Sequence, residues 1–168
     1  MYSVQSAEST SLPDNVFDLI TVAQAIHWFD FDRFYNEAYR TIKNRGILAL
    51  IGYGLISTFH PADQILDDFY QNIVGPFWDK ERTYIEKKYQ TIPFPFNEIE
   101  SPGFSINYEW TFDQVIGFLD TWSAVGHYRK RTGKDPVDRI YHDLKACWGG
   151  NVHKVSFPVF VRIGRIYK

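Results

Sequence analysis

The sequence is poor in cysteine and contains no long apolar run. Cys147 is its one cysteine, which excludes an internal disulfide framework and is typical of a reducing, intracellular setting. No apolar stretch approaches the roughly 20 residues that a membrane-spanning helix needs. The first residues also lack the charged-then-apolar pattern of a secretory signal. We therefore expect a soluble, cytoplasmic protein that does not bind membranes.

The sequence has no marked excess of charge of either sign. It contains 18 lysines and arginines against 20 aspartates and glutamates, which gives a formal net charge of -2. This balance argues against a nucleic-acid partner, which would favour a basic surface. No His, Cys, Asp or Glu residues recur at the spacing of metal ligands, so we predict no metal site. Aromatic residues are abundant instead, at 18% of the chain, and indicate an aromatic-lined core or pocket.

Two apolar strands with a helix between them form the first recognisable unit. Residues 17–23 read as a strand buried on both faces, and residues 47–54, "ILALIGYG", read as a second continuous apolar strand. Between them, "DFDRFYNEAYRTIKN" carries its apolar residues at helical spacing, and we predict that Gly46 ends this helix. A strand, a helix and a strand within about 40 residues predict a βαβ unit with parallel strands.

A polar and aromatic turn follows the first strand directly. Gln24, His27 and Trp28 stand together where the buried strand ends and before the helix begins. In open α/β sheets, ligands bind at the carboxyl ends of the parallel strands. This turn is therefore the first candidate for a functional site.

Helices and strands are also predicted further along the chain. The prolines between residues 91 and 103 predict an irregular segment there. The remaining elements are predicted helices at 61–74, 111–131 and 135–148 and predicted strands at 104–110 and 155–168.

A family resemblance is carried by residues 6–50, "SAESTSLPDNVFDLITVAQAIHWFDFDRFYNEAYRTIKNRGILAL". This stretch resembles the middle of a class I S-adenosylmethionine-dependent methyltransferase, and "QAIHWFD" resembles the branch that contains the trans-aconitate methyltransferases. The resemblance implies an α/β fold with part of a Rossmann-like sheet, namely its last four strands including an antiparallel C-terminal strand, together with helices. It also implies a single domain over 1–168, with helical insertions on the acceptor side at 55–103 and 111–150.

One feature of that family is not found in these 168 residues. The glycine-rich cofactor loop, roughly D/E-x-G-x-G-x-G after the first strand of the family, has no counterpart, and "IGYG" at 51–54 follows a later strand. The resemblance thus implies a truncated methyltransferase whose strand 17–23 presents an apolar, unpaired edge. Such an edge invites pairing, here with a second copy of the chain or with a separately supplied N-terminal half.

The resemblance also implies roles for particular residues. His27 is the implied catalytic residue, as a hydrogen-bonding group or base for the methyl acceptor. Ser123 and His127 lie about one turn apart on a predicted helix, next to Trp122, so we expect them to share a face. The implied cofactor residues are Ser6, Ala7, Glu8, Ala23, Gln24 and Ala25. The implied substrate-binding residues are Trp28, Tyr53, Trp122, Ser123 and His127.

The function implied by the resemblance is methyl transfer from S-adenosylmethionine to a small molecule. The implied acceptor atom is an oxygen of a carboxylate. One alternative is a catalytically inactive methyltransferase-fold fragment that acts as a dimerisation or binding module, and another is an unrelated α/β binding domain. Binding of the cofactor separates the first hypothesis from the other two, and the mass in solution tests the second.

Overall fold

The computed structural model of the protein describes residues 2–58 and 61–168. The chain divides into two compact units. The predicted insertion at 111–150 lies within the second unit, whereas the predicted insertion at 55–103 is shared between the two. The first unit comprises Met1–Gly54, Glu81–Phe104 and Pro158–Lys168, and the second comprises Leu55–Lys80 and Ser105–Phe157.

The regular elements of the described residues follow one another along the chain as strands and helices. The strands are β1 (Phe17–Ala23), β2 (Ile42–Tyr53), β3 (Asn97–Ile99), β4 (Phe104–Trp110) and β5 (His153–Arg165). The helices are α1 (Phe31–Thr41), α2 (Ala62–Asp68), α3 (Arg82–Glu86), α4 (Phe112–Asp120), α5 (Ser123–Thr132) and α6 (Asp138–Trp148). A 3-10 helix spans Ile26–Trp28, another spans Gly75–Phe77, and a π-helical turn spans Phe69–Ile73.

The sheet is mixed and has the order β1-β2-β5-β3, with β4 also paired to β5. β1 and β2 are parallel, as the βαβ pattern predicts, and β5 is antiparallel to β2. This arrangement confirms the predicted α/β class with an antiparallel C-terminal strand. The short strand β3 corrects the prediction of an irregular segment at 91–103, because Asn97–Ile99 pairs with the end of β5 beyond the last of the closely spaced prolines.

The apolar sequence of β1 predicts a strand that is buried on both faces, and this prediction is wrong. The strand buries Val22, but it leaves Asp18, Leu19, Thr21 and Ala23 exposed, and Leu19 is 54% accessible. β1 lies at one edge of the sheet that the described strands form, so its outer side has no neighbouring strand within that sheet. The apolar sequence therefore belongs to an edge strand.

Helix α1 begins where the sequence predicts and ends earlier. The Asp30 side chain accepts a hydrogen bond from the backbone N–H of Arg33 at 3.1 Å and caps the N-terminus. The helix ends at Thr41 and not at Gly46, because Ile42 adopts extended backbone, is fully buried and pairs with Phe17 of β1. Burial in the sheet thus outweighs the helical propensity of the residues after Thr41.

The predicted helix at 111–131 is two helices in the second unit. Thr111 and Gln114 form the capping box that starts α4. The helical run breaks after Asp120, since the Thr121 hydroxyl donates to the carbonyl of Phe118 at 2.6 Å and Trp122 has extended backbone. Trp122 is 8% exposed and packs among the rings of the second unit, so its burial accompanies the break.

The core of the first unit joins α1 to β2 and to the segment after α3. A buried cation fixes that segment, because Arg162 of β5 donates to the carbonyls of Tyr89 and Ile92, both at 2.8 Å. The same guanidinium binds the Glu98 carboxylate of β3 at 2.8 Å and lies over the Phe94 ring.

Within the described part of the chain, no helix is long and apolar enough to cross a membrane.

Candidate functional site

The carboxyl ends of β1 and β2 meet at Gln24 and Tyr53, which the sequence assigns to the cofactor and the substrate. Gln24 has a φ of 51°, in the left-handed region. Its side-chain oxygen accepts from the backbone N–H of Tyr53 at 3.0 Å, and its backbone N–H donates to the carbonyl of Ile51 at 2.8 Å. The amide of Gln24 therefore ties the two strand ends together, and this bond occupies its oxygen.

An open cavity of about 440 Å³ lies beside β1 and α1. It brings together Ala7, Ala23 and Ala25, three of the predicted cofactor residues, which are separated by up to 18 positions in the chain. Its wall is mainly apolar, with Phe17 and Ile20 among the contributing side chains. The small side chains leave the backbone of the turn and the strand end accessible to a ligand.

Ser6 and Glu8, the other two residues of the first predicted cofactor turn, are bonded to each other. The Ser6 hydroxyl donates to the Glu8 carboxylate, and this bond lowers the pKa of Glu8. The other carboxylate oxygen of Glu8 accepts from the backbone N–H of Asp30 at 3.2 Å. The turn is thereby attached to the start of α1.

His27 and Trp28, on the 3-10 helix, differ sharply in exposure. His27 is 6% exposed, whereas Trp28 is 58% exposed, and their ring centroids lie 4.9 Å apart. The His27 Nδ1 atom lies 3.2 Å from the Tyr89 hydroxyl oxygen. Burial lowers the pKa of His27, so the ring is neutral at pH 7. A neutral imidazole can accept or donate a hydrogen bond, so both predicted roles of His27 stay predictions.

Tyr89 is a site residue that the sequence analysis missed. It lies 62 positions from His27, its side chain is fully buried, and burial raises the pKa of its hydroxyl. The surrounding letters "EKKYQ" read as a charged helix, and nothing in their spacing connects them to the turn at 24–28. Only the fold brings the two rings together.

The second unit contains three of the predicted substrate residues, namely Trp122, Ser123 and His127. Ser123 is the first residue of α5 and His127 lies one turn later, while Trp122 precedes the helix. The Ser123 hydroxyl lies 3.4 Å from Asp79, and His127 Nδ1 lies 3.9 Å from the same carboxylate and 3.0 Å from the carbonyl of Phe77. Asp79 is thus a second residue missed by the sequence analysis.

Trp122 does not share an exposed helix face with Ser123 and His127, as the single-helix prediction implied. Its ring packs against Tyr70 at 5.7 Å and Trp78 at 5.5 Å between centroids. These contacts place Trp122 in the core of the second unit, and its assignment to a substrate stays a prediction.

Among the residues described, no group of three or more His, Cys, Asp or Glu side chains could hold a metal ion.

The residues around the cavity fit S-adenosylmethionine as a wall of backbone and small side chains. Ala7, Ala23 and Ala25 would hold it, because they line one cavity and carry too little side chain to fill it. The side chains of Glu8 and Gln24 already bond within the protein. The three alanines can therefore offer a cofactor only their backbone polar groups.

Comparisons with known proteins show which family the chain resembles. A family profile described as "Methyltransferase domain" matches residues 1–50. A solved structure of a candidate type II methyltransferase from Anaeromyxobacter dehalogenans is 40% identical, with a TM-score of 0.91, and the match covers 99% of this chain and 72% of that one. A candidate methyltransferase of Dictyostelium discoideum is 30% identical over 172 residues, which cover 98% of this chain. The chain spans 65% of the length of that relative.

The mixed sheet and the turn after β1 define a Rossmann-like fold of the methyltransferase type. The chain belongs to the class I S-adenosylmethionine-dependent methyltransferase family, because the match to the 40% identical structure extends over nearly its whole length.

Proposed function

We propose that the protein transfers a methyl group from S-adenosylmethionine to a small molecule, at a carboxylate oxygen. The observation that carries this proposal is the 40% identity to the Anaeromyxobacter dehalogenans structure over 99% of the chain. The turn "QAIHW" supports the narrower assignment to small-molecule acceptors, because its resemblance is to the trans-aconitate branch. A cytoplasmic setting belongs to the same proposal and is supported by the cysteine content, because a chain with Cys147 as its single cysteine forms no internal disulfide.

In this proposal the chain acts by positioning and by excluding water. Bound S-adenosylmethionine supplies an electrophilic methyl group on a sulfonium, so the reaction is an in-line displacement. Ala7, Ala23 and Ala25 give the cofactor a close approach to the backbone. His27 and Trp28 orient the acceptor, the first as a hydrogen-bonding group and the second as an exposed aromatic wall.

A carboxylate acceptor is consistent with a turn that supplies no general base. A carboxylate is already ionised at neutral pH and needs no base, whereas a hydroxyl acceptor would require one. The buried, neutral His27 adds no positive charge beside the acceptor. The acceptor would therefore be held by directed hydrogen bonds and by the indole of Trp28.

Cofactor binding is the direct test. We expect S-adenosylhomocysteine to bind the purified chain in a calorimetric titration, and we expect Ala23→Leu, which fills the cavity, to weaken binding about tenfold or more. Ala146→Leu on α6 is the matched control, because Ala146 is exposed and belongs to the second unit. Equal affinity for S-adenosylhomocysteine in the wild type and Ala23→Leu would contradict the assignment of the cavity.

The acceptor class is tested with a panel of small acids and alcohols and labelled S-adenosylmethionine. We expect label in methyl esters of carboxylic acids and none in ethers. Methylation of alcohols or phenols alone would contradict the carboxylate assignment and return His27 to the role of a base.

The predicted pairing of the β1 edge stays a prediction. The edge carries the exposed Leu19 and lies beside the apolar cavity. We expect light scattering at micromolar concentration to report a dimer, and we expect Leu19→Lys to shift the mass toward the monomer, because a charge at an edge strand opposes pairing. A monomeric wild type would contradict pairing with a second copy.

A further inference from the structure

We propose that the Tyr89 hydroxyl fixes His27 in the tautomer that carries its proton on Nε2, so that His27 acts toward the methyl acceptor as a hydrogen-bond donor and not as a base. Tyr89 is then a positioning residue. The part of the proposal that concerns the acceptor rests on the proposed function, whereas the tautomer does not.

The direction of the hydrogen bond between the two rings follows from the burial of Tyr89. Its side chain is fully buried, and its hydroxyl has His27 Nδ1, at 3.2 Å, as its hydrogen-bond partner within the described residues. If Nδ1 carried the proton and donated it, the buried hydroxyl proton would have no acceptor, which is unfavourable. If the hydroxyl donates instead, both groups are satisfied. Nδ1 is therefore the acceptor, and the imidazole proton is on Nε2.

The charge states of the two groups agree with this direction. A protonated imidazole would carry hydrogens on both nitrogens and could not accept from Tyr89. Burial lowers the pKa of His27, and Arg82 acts in the same direction while Glu81 opposes it. Burial also raises the pKa of Tyr89, so its hydroxyl keeps its proton.

Tyr89 is held in place at a conformational cost. It has a φ of 61°, and Lys88 before it has a φ of 51°, both in the left-handed region that bulky residues rarely adopt. The backbone N–H of Tyr89 donates to Tyr84 at 2.7 Å, and its carbonyl accepts from Arg162 at 2.8 Å. Strained backbone that the surrounding structure enforces is characteristic of functional sites.

The neighbouring strands leave room for the Tyr89 ring. The ring meets Phe160 of β5 edge-on, with 5.0 Å between the centroids. Gly52 of β2 lies beside both rings, and a Cβ atom there would stand 2.4 Å from Phe160 and 3.1 Å from Tyr89. Glycine at position 52 therefore permits the aromatic packing that directs the hydroxyl to His27.

The other nitrogen of His27 is available for a ligand. Nε2 has no hydrogen-bond partner among the residues that the structure describes, and the ring adjoins the exposed Trp28. With its proton on Nε2, the ring offers an N–H donor, which suits the oxygen of a carboxylate. The same tautomer has no lone pair at Nε2, so at that nitrogen it cannot serve as a base.

Nitrogen-15 NMR of the histidine side chains tests the tautomer on the full chain, with His27→Asn identifying the signals. We expect the wild type to show the pattern of a proton on Nε2. We expect Tyr89→Phe to mix the two tautomers, and Tyr35→Phe to leave the pattern unchanged. Tyr35 is the matched control because it is a buried tyrosine of the same unit whose hydroxyl donates to the carbonyl of Pro93 at 2.6 Å. A proton on Nδ1 in the wild type, or no change in Tyr89→Phe, would overturn the proposal.

The role toward the acceptor is read from steady-state kinetics. We expect Tyr89→Phe to raise KM for the acceptor about fivefold, the worth of one neutral hydrogen bond, with a smaller change in kcat. His27→Gln, whose amide N–H replaces the Nε2–H, should retain more activity than His27→Ala. Equal loss in both His27 variants would overturn the donor role. Failure of every acid to be methylated would instead overturn the proposed function, while the NMR result decides the tautomer independently.

Discussion

Each of the two units contains a histidine that the sequence assigned to the site, and the contacts of the two side chains favour opposite tautomers. In the first unit, His27 is buried and its Nδ1 atom faces a hydroxyl, which can donate. In the second unit, the His127 side chain is 47% exposed and its Nδ1 atom lies 3.0 Å from a backbone carbonyl, which can only accept. His127 therefore carries its proton on Nδ1 when neutral, whereas the arrangement around His27 favours Nε2.

This difference teaches that residue type and turn position do not define the chemistry of a histidine. Both residues follow an aromatic or apolar stretch and both were plausible acceptor contacts from the sequence. Their hydrogen-bond partners, Tyr89 for one and Phe77 for the other, lie 62 and 50 positions away. The first unit holds its histidine with a buried network, and the second holds its histidine at the surface beside Asp79.

The largest expected effect is a difference in free energy of unfolding between two arginine variants, one in each unit. Arg162→Met should lower the free energy of unfolding by about 3 kcal/mol, because Arg162 is 8% exposed and serves two buried carbonyls and Glu98. Arg129→Met in the second unit should cost less than about 1 kcal/mol, since its partners Asp120 and Asp135 are partly exposed. Urea denaturation of both variants measures the difference, and equal losses would contradict it.

The sequence predicted the βαβ unit well because each of its elements has a local signal. Apolar residues recur at helical spacing in α1, Asp30 supplies a cap, and the strands are continuous apolar runs. The end of α1 could not be predicted, because Ile42 leaves the helix for a pairing with Phe17, which lies 25 positions away. Sheet register depends on contacts between distant parts of the chain, and the residues near Thr41 carry no local signal that predicts it.

The break between α4 and α5 illustrates the same limit. The letters "LDTWSAV" contain neither proline nor glycine, so helical periodicity continues through them. The break coincides with the burial of Trp122 against Tyr70 and Trp78, which come from another part of the chain. For the site, the sequence supplied the small residues of the turn, but Tyr89 and Asp79 became visible only in the folded protein.

The second prediction compares how two carboxylates, Glu37 and Asp120, contribute to stability at low pH. Glu37 of α1 accepts from Arg40 and from Thr10, and these bonds lower its pKa from about 4.5 to about 2. A depressed carboxylate pKa contributes stability that is present above pH 4.5 and is lost as the pH falls toward 2. Glu37→Gln should therefore remove up to about 2–3 kcal/mol of this acid dependence.

Asp120→Asn in the second unit is the matched control for Glu37→Gln. Asp120 pairs with Arg129 at the surface, with a side chain that is 43% exposed. We expect its removal to lower the free energy of unfolding by less than about 1 kcal/mol. Thermal melting of both variants from pH 7 to pH 2.5 makes the comparison, and parallel curves for the wild type and Glu37→Gln would contradict the prediction.

The smallest expected effect concerns His27 near neutral pH. Its folded-state pKa lies below the ordinary value of 6.5, so below that pH the unfolded chain binds more protons at this residue than the folded chain does. Stability should therefore fall as the pH decreases from 6.5 toward the folded-state pKa, by at most about 1.4 kcal/mol per pH unit. His27→Gln should remove this dependence of the free energy of unfolding on pH.

Tyr35→Phe is the control variant. It should lower stability by the same amount at every pH between 5 and 7, because Tyr35, with a pKa of about 12, does not titrate there. Equal slopes in the wild type and His27→Gln would show that the buried ring takes up its proton as readily in the folded as in the unfolded chain.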